Sequence, residues 1–339
     1  MSQLPKQPAE VSVPTSADVA RLAGVSRATV SYVLNNNSTV RISEPTRRRV
    51  REAALQLGYV PHAAARSLRA GHSRVVLLPT GRLPEEPLHH FFQELQAGLR
   101  GLDYTVVQYG NAGLAADESA RAWAELRPVA VVVPPGITLS PHGTEVLIRS
   151  GARAVITLGP EPVPGAHGLV MDQRLVGGSA VEHLLARGRR RIGVVMPQEP
   201  GLASFSEPRL AGARRAAERT GAHVRPLPLH YEEQSATRLA ERWRDLRLDA
   251  VFAYNDAYAM LLMRALQDAG IDIPGDTALV GADDLLLGRL LRPRLSTVRM
   301  ELAIPQPLAE TIDRLVHHPG SAPEHHDLLR TSAVHRESS

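Results

Sequence analysis

Short apolar runs alternate with amphipathic segments over most of this 339-residue chain. Seven short, mostly apolar runs predict buried strands, at residues 75–78, 105–108, 129–133, 154–158, 192–196, 250–253 and 279–281. Segments with helical periodicity lie between them, for example at 91–102, 176–187, 210–220 and 257–269. Strands that alternate with helices at this spacing predict parallel, doubly wound α/β sheets. Seven such units exceed one sheet of this kind, so we expect two similar lobes around a cleft.

The first 60 residues follow a different pattern. Residues 16–23, 26–35 and 44–57 have helical periodicity, with small or apolar side chains gathered on one face of each segment. Ser16 and Ser26 stand where helix caps are expected, and Gly24 provides a turn between the first two helices. Two short helices joined by a glycine turn and followed by a third predict a helix-turn-helix head. An ordinary three-helix bundle with no role in nucleic-acid binding fits the periodicity equally well.

Charge separates these two alternatives. Residues 1–74 contain eleven Lys and Arg against four Asp and Glu, a net charge of +7, which leaves −3 for the rest of a chain whose net charge is +4. A basic head on a slightly acidic body is typical of a protein that contacts phosphates with one end. A solvated basic helix face explains the arginines within 47–51 alone. It does not explain why the charge excess coincides with the helix-turn-helix pattern.

Composition excludes several other classes of protein. The chain contains no cysteine, which excludes disulfides, thiolate metal sites and cysteine nucleophiles. No apolar run approaches the roughly 20 residues of a membrane span, and residues 1–14 lack the apolar core of a signal peptide. We therefore expect a disordered tail at 1–14 and a cytoplasmic protein, which disfavours an exported solute-binding protein. No phosphate-binding loop, HExxH motif or serine elbow is present, so we expect no enzyme, no cofactor and no metal.

Two motifs carry a resemblance to a known family. Residues 18–35, DVARLAGVSRATVSYVLN, resemble the head motif of the lactose-repressor (LacI/GalR) family, and residues 58–68, GYVPHAAARSL, resemble its hinge. The similarity continues to the end of the chain. It implies a helix-turn-helix domain at 15–60, a hinge helix and linker at 61–73, and a two-lobed periplasmic-binding-protein-like domain at 74–339. The last domain is expected to bind an effector and to dimerise, with chain crossings between its lobes near residues 170, 299 and 322.

The resemblance also implies a function. Members of the family are bacterial transcriptional regulators, so we expect a homodimeric repressor that binds a palindromic operator in the nucleoid. A small molecule, expected to be a sugar, would release it. Two alternatives stay open: the effector acts as a corepressor instead, or the effector pocket is atypical or has lost its function.

DNA-contacting residues follow from the same resemblance. Base contacts are carried over to Arg27, Ala28 and Tyr32, and phosphate contacts to Thr29, Ser31 and Asn35. Arginine matches the edge of guanine and alanine the methyl group of thymine, whereas tyrosine stands where the family often has arginine. In the hinge, Leu68 is expected to wedge between base steps of the minor groove, and Ala64 to permit close contact between paired helices. The alternative is that the hinge segment is only a linker helix.

Effector-binding residues are carried over likewise. Arg209, Asn255 and Asp283 are expected to bind polar groups of the effector, with Asp172 at the first crossing, and Phe91 and Phe205 are candidates to stack on a ring. A guanidinium and a carboxylate that face one cleft suit a polyhydroxylated ligand. The structural alternatives are an ion pair for Arg209 and Asp283, a helix cap for Asp172, and the core for Phe91. The loop at 79–92 departs from the family pattern, which is why an atypical effector stays open.

Overall fold

The structure is a computed structural model that describes residues 13–34, 40–60, 71–80, 86–110, 114–302 and 307–339, with the backbone alone at 86–89. It divides into two compact units, Met1–Ser73 and Arg74–Ser339. The described part of the first unit contains three helices, α1 (Ser16–Ala23), α2 (Arg27–Leu34) and α3 (Glu44–Leu57). Apolar side chains from all three pack together, among them Val19, Val30, Val33 and Val50. The helix-turn-helix head predicted from the periodicity is confirmed.

The cap of α1 differs from the prediction by one residue. Thr15, not Ser16, precedes the helix, and its hydroxyl accepts the backbone N–H of Asp18 while the Asp18 carboxylate accepts the N–H of Thr15. This reciprocal arrangement satisfies two backbone donors that a helix start leaves unpaired. Gly24 ends α1 with φ 63°, a left-handed conformation that glycine adopts without steric cost.

The first lobe of the second unit is built by alternating strands and helices. Its elements are β1 (Val75–Thr80), α4 (Glu86–Gly101), β2 (Thr105–Gly110), α5 (Ala116–Glu125), β3 (Ala130–Val133), α6 (Pro141–Arg149), β4 (Ala154–Gly159) and β5 (His167–Val170). The strands form a parallel sheet in the order β11-β5-β4-β3-β1-β2, in which β11 (His325–Asp327) comes from the end of the chain. Side chains of α4 cover one face of this sheet and those of α5 and α6 cover the other.

The second lobe repeats this plan. Its elements are α7 (Arg174–Ala186), β6 (Arg191–Pro197), α8 (Ala203–Glu218), β7 (His223–Leu229), α9 (Glu233–Glu241), α10 (Trp243–Leu246), β8 (Ala250–Phe252), α11 (Asp256–Asp268), β9 (Ala278–Ala282), a 3-10 turn (Leu286–Arg289) and β10 (Ser296–Leu302). The sheet order is β12-β10-β9-β8-β6-β7, and only β12 (Leu329–Val334) runs antiparallel, against β10. Helices α7 and α8 pack on one face, and α9 and α11 on the other. The doubly wound, two-lobed fold is confirmed.

The order of the described elements takes the chain from one lobe to the other three times. The first crossing, predicted near residue 170, lies between Val170 and Arg174. The second crossing was predicted near residue 299, but that residue lies inside β10. The crossing therefore follows Leu302 and leads to α12 (Leu308–His317), which packs on the first lobe. The third crossing was predicted near residue 322, but β11 of the first lobe follows that residue. The crossing therefore lies between Asp327 and Leu329. β10 continues past its apolar residues through Arg299 and Glu301, and β11 consists of polar residues, so hydrophobicity did not indicate where either strand ends.

Candidate functional site

The carboxyl ends of the central strands in the second lobe carry polar residues. Asn255 follows β8 after a short turn, and Asp283 directly follows β9, the neighbouring strand. Parallel strands end at the same edge of a sheet, and ligands of doubly wound folds bind at that edge. This edge therefore holds the candidate effector site.

Arg209 is the central cation of this site. It lies in α8 with only 1% of its surface exposed, and it donates from Nη1 to the carbonyl of Tyr254 at 2.8 Å. Its guanidinium carbon also lies 4.6 Å from the centre of the Tyr254 ring, within cation–π range. A buried guanidinium is stable only where such partners replace water. These contacts attach the cation of α8 to the end of β8.

Gln173 is a member of the site that the sequence did not indicate. Its side chain is 1% exposed, and its Oε1 accepts the Nε–H of Arg209 at 2.9 Å. Its Nε2 donor has no acceptor within the described part of the chain. A glutamine that follows an aspartate at a strand–helix junction carries no periodicity by which it could have been recognised.

Asn255 has a structural role in addition to its place at the site. Its Oδ1 accepts the backbone N–H of Tyr258 at 3.0 Å, which caps α11. The side chain is buried, and its amide nitrogen is not used by this cap. The capping contact and a ligand contact are therefore compatible.

The adjacent carboxylates Asp283 and Asp284 have different surroundings. Asp284 pairs with Arg299 at 2.7 Å, with Arg289 at 3.0 Å and with Arg336. Burial raises the pKa of Asp284, but the hydrogen bonds from Arg336 and Arg299 outweigh it and the net pKa is lowered. Asp283 is 8% exposed and adopts φ 103°, an unusual conformation for a residue with a side chain. Asp284 therefore links the 3-10 turn, β10 and the segment that follows β12, whereas Asp283 lies at the end of β9.

The surroundings of the remaining predicted effector residues match structural roles. Asp172 accepts from the backbone and the side chain of Arg174 at 3.0 and 2.8 Å and lines a groove between α7 and α8. This geometry matches the alternative in which Asp172 caps the start of the next helix. Phe91 is buried in the core of the first lobe, where its ring meets Phe92 edge to face at 5.1 Å, which supports the core alternative. Phe205 is buried in α8 and belongs to the core beneath the site.

An aromatic cluster extends outward from Arg209. The Tyr254 ring packs edge to face on Tyr258 at 5.5 Å, and Tyr258 packs on the exposed Tyr231 at 5.1 Å. Glu199 accepts the hydroxyl of Tyr258 and, at 2.5 Å, the backbone N–H of Tyr231. Burial raises the pKa of Glu199, but these hydrogen bonds outweigh it and lower the net pKa. A row of three contacting tyrosine rings thus links the guanidinium to the surface.

One further carboxyl lies beneath the site. Asp256 is fully buried and accepts the Thr297 hydroxyl and the Leu285 N–H, each at 2.7 Å. Burial raises the pKa of Asp256 to about 6, although the two hydrogen bonds act against this rise. The residue connects α11, β10 and the segment that leads into the 3-10 turn.

The predicted DNA-contacting residues occupy one side of α2. Arg27, Ala28 and Tyr32 are exposed, and Thr29 and Ser31 are half-buried, while Val30 and Val33 face the core. The Ser26 hydroxyl accepts the Thr29 N–H at 3.1 Å and contacts the Thr29 hydroxyl at 2.9 Å, so Ser26 caps the helix as expected. Asn35, Ala64 and Leu68 lie outside the described residues.

Comparison with known proteins gives a consistent result. The model of the bacterial regulatory proteins, lacI family, matches residues 15–62, and a periplasmic binding protein-like domain matches 181–339. The transcriptional regulator GalR of Escherichia coli K12 is 32% identical over 300 residues, 84% of each chain. The ribose operon repressor of the same organism is 31% identical over 328 residues, 89% of this chain and 92% of the relative.

The chain belongs to the LacI family of bacterial regulatory proteins.

A solved structure supports the fold of this LacI-family protein. The lac repressor dimer bound to operator and the anti-inducer ONPF superposes with a TM-score of 0.76 at 22% identity, covering 96% of this chain and 99% of that one. Like its relatives, the protein is a DNA-binding transcriptional regulator and not an enzyme. Within the described residues, no helix is both long and apolar enough to span a bilayer, and no side-chain cluster suits a metal ion.

Proposed function

We propose that this LacI-family regulator is a homodimeric repressor of a palindromic operator and that a small polyhydroxylated effector, a sugar, releases it from DNA. The observation that carries this proposal is the buried polar group around Arg209 at the strand ends of the second lobe. We assign residues 15–60 to DNA binding, 61–73 to the hinge and 74–339 to effector binding and dimerisation.

The chemistry of the site suits a sugar. Arg209 and the Nε2 of Gln173 are hydrogen-bond donors, and the Asp283 carboxylate is an acceptor. A hydroxyl group both donates and accepts, so a ring that carries several hydroxyls can satisfy donors and acceptors that lie on neighbouring strand ends. The name of the ribose operon repressor points to the same class of ligand in a relative.

DNA recognition is assigned to the exposed side of α2. Arg27 would donate to guanine and Ala28 would meet a thymine methyl, while Thr29, Ser31 and Asn35 contact phosphates. Tyr32 would reach a base edge with a single hydroxyl. Leu68 would insert into the minor groove of the operator, where Ala64 permits two hinge helices to pair.

An exposed apolar segment supports the homodimer. Leu286, Leu287 and Leu290, in and beside the 3-10 turn after β9, are 68%, 59% and 66% exposed. Three large apolar side chains within five residues are unfavourable in water and are expected to be covered by a partner. A second copy of the chain is the partner that a palindromic operator requires.

Repression and release would be coupled through the hinge. Effector binding changes the closure of the two lobes, moves the first lobes of the dimer relative to each other, and separates the paired hinge helices. The loss of minor-groove contact then lowers operator affinity. A ligand that increased operator affinity would reverse this direction and make the effector a corepressor.

Selection of bound sequences from random DNA by the full-length protein tests the DNA part. We expect a palindromic consensus and a loss of affinity of about tenfold or more for Arg27→Ala and Leu68→Ala. Arg225→Ala, the same charge change on an exposed strand residue of the second lobe, serves as the control. Binding without sequence preference, or variants that match the control, would refute the assignment.

Titration of the operator complex with pentoses, hexoses, disaccharides and nucleosides tests the effector part. We expect at least one sugar to raise the operator dissociation constant, and Asp283→Asn to abolish that response while operator binding in the absence of sugar stays normal. A nucleoside that acts where no sugar does would contradict the sugar assignment. A complex indifferent to the whole panel would favour a non-functional pocket.

A further inference from the structure

Gln173 occupies the position at which the chain enters the second lobe. β5 of the first lobe ends at Val170, and α7 of the second lobe begins at Arg174, so Gln173 is the last residue of the first crossing. Its buried side chain reaches α8, where Oε1 accepts the Nε–H of Arg209 at 2.9 Å. One hydrogen bond therefore joins the crossing segment to the cation of the effector site.

The chemistry of the two groups determines how the amide is oriented. A guanidinium has N–H donors and no acceptor, so the oxygen of the Gln173 amide must face Arg209. A side chain that lacks an acceptor at this position cannot hold the guanidinium. Glutamate would retain that acceptor, whereas leucine would fill the same volume without it.

Two glycines allow the helices that carry these side chains to approach each other. A Cβ atom at Gly177 would lie 1.8 Å from the carbonyl oxygen of Arg209, and one at Gly212 would lie 2.0 Å from that of Arg174. Both distances are far shorter than any non-bonded contact, so a side chain at either position forces α7 and α8 apart. A Cβ at Gly178 meets the Gly212 oxygen at 3.8 Å, an ordinary contact.

The contact is reciprocal. Gly177 of α7 packs on the backbone of Arg209 itself, and Gly212 of α8 packs on Arg174, the residue that follows Gln173. The close approach of the helices therefore sets the distance between the amide and the guanidinium. Neither glycine has a side chain that a ligand could contact.

We propose that Gln173 is a positioning residue that holds the guanidinium of Arg209, and that the close packing of α7 on α8 at Gly177 and Gly212 keeps the two side chains in register. The crossing between the lobes and the cation of the effector site then move as one unit. This inference rests on the proposed role of Arg209 and adds the element through which lobe closure is linked to the ligand.

Modification of arginines by phenylglyoxal in the full-length protein tests the proposal without any effector. Peptide mapping measures the modification rate of Arg209 relative to the exposed Arg215 on the same helix. A hydrogen bond to a charged group corresponds to roughly tenfold or more in an equilibrium, so Gln173→Leu is expected to accelerate Arg209 modification by about that factor. Gln173→Glu is expected to leave it as slow as in the original protein.

The glycine variants provide a matched pair. Gly177→Ala is expected to accelerate Arg209 modification, and Gly178→Ala, one position along the same helix, to leave it unchanged. Melting temperatures and circular dichroism identify variants that do not fold. If Gln173→Leu or Gly177→Ala does not fold, Gln173→Asn is used instead. Its side chain is one methylene too short to maintain the contact with Arg209, so we expect the same faster modification of Arg209 as in Gln173→Leu.

The proposal would be overturned if phenylglyoxal modified Arg209 as slowly in folded Gln173→Leu or Gln173→Asn as in the original protein. So would rapid modification in Gln173→Glu, because a role in packing alone would not depend on the acceptor. The experiment uses no sugar and no DNA. Its failure is therefore distinct from a failure to find an effector, which would contradict the proposed function instead.

Discussion

The two lobes share a fold and differ in the chemistry of their strand ends. Both contain a six-stranded sheet with the same pattern of strand order. In the first lobe, β3 is followed by Pro134 and Pro135, and β4 ends at Gly159 and is followed by Pro160. In the second lobe, the equivalent ends carry Tyr254 with Asn255 and Asp283 with Asp284. In such folds the sheet topology determines where a ligand binds, and the side chains at the strand ends determine which class of ligand binds there.

This difference assigns separate tasks to the lobes. The polar contacts proposed for the effector are concentrated on the second lobe, where Arg209 is already buried and hydrogen-bonded. A side chain that is positioned before the ligand arrives loses little entropy on binding. At the described strand ends named above, the first lobe offers proline rings and glycine backbone. We therefore infer that the effector docks on the second lobe and that the first lobe closes over a less polar side of it.

The largest expected effect is that of Arg209→Ala. Truncation leaves the Gln173 Oε1 and the Tyr254 carbonyl without their donor and creates a cavity beside the Tyr254 ring. We expect the free energy of unfolding to fall by about 4 kcal/mol. Urea denaturation measures the change, with the exposed Arg225→Ala as a control that should stay within about 0.5 kcal/mol. Similar values for both variants would contradict a buried polar core in this lobe.

The second prediction concerns the effect of pH on stability, which has opposite signs for one carboxyl group in each lobe. Burial raises the pKa of Asp256 to about 6, above its unfolded value of 3.8, so the folded protein holds this proton more tightly than the unfolded chain. The stability from this group is complete below about pH 4 and is lost as the pH rises through about 6, a change of about 3 kcal/mol. Denaturation curves from pH 4 to 8 should lose this slope in Asp256→Asn.

The first lobe supplies the opposite case. A two-point contact with Arg314, at 2.9 and 2.8 Å, lowers the pKa of Glu324 to about 2. The stability from this group is present above the unfolded pKa of 4.5 and is lost as the pH falls toward 2. Because the pair is partly exposed, we expect a small effect. Glu324→Gln should therefore reduce the acid sensitivity below pH 4.5 and leave the slope between pH 4.5 and 7 intact.

A third prediction compares two helix caps. Ser140 caps α6 in the first lobe through the N–H of Gly143 at 2.8 Å, and Asn255 caps α11 in the second lobe. Loss of either cap costs about 1 kcal/mol of stability. We expect Ser140→Ala, which also removes the hydrogen bond from the Ser140 hydroxyl to Asp117, to destabilise the protein at least as much as Asn255→Ala, but only Asn255→Ala to weaken the response of the operator complex to sugar. Equal responses would show that Asn255 is a cap alone.

The smallest expected effect belongs to Thr80, the last residue of β1 in the first lobe. Its hydroxyl donates to the Tyr109 carbonyl at 3.2 Å and is half-buried. Thr80→Ala is expected to lower stability by about 0.5 kcal/mol and to leave the response to sugar unchanged, because we propose that the polar contacts with the effector lie on the other lobe. A loss of response as large as that of Asp283→Asn would mean that the first lobe contributes polar contacts after all.

Local features of the structure could be predicted. The three helices of the head and the predicted strands follow from which residues are apolar and from turn residues such as Gly24. The exposed side of α2 followed in the same way, because one helix determines which residues share a face. The crossing after β10 could not be located, because β10 continues through Arg299 and Glu301, which have no apolar character.

The roles of neighbouring residues at the site could not be separated beforehand. Asp283 and Asp284 are identical in type and adjacent, yet only Asp284 meets Arg299, Arg289 and Arg336, which come from three different segments. Gln173 was missed because its partner lies 36 residues away in another helix. Phe91 was a candidate for stacking, and its burial depends on α12, far along the chain.

Hydrophobic periodicity and charge by themselves determined that a basic helical head precedes an α/β body, because both properties act over a few neighbouring residues. Motif resemblance added the family. Tertiary structure alone decided which side chain neutralises which, and where Arg209 and Gln173 meet, because those contacts depend on how distant helices and strands approach. Gly177 and Gly212 are an example: nothing in their local sequence pattern requires glycine, and only the packing of α7 on α8, where each faces the backbone of the other helix, makes it necessary.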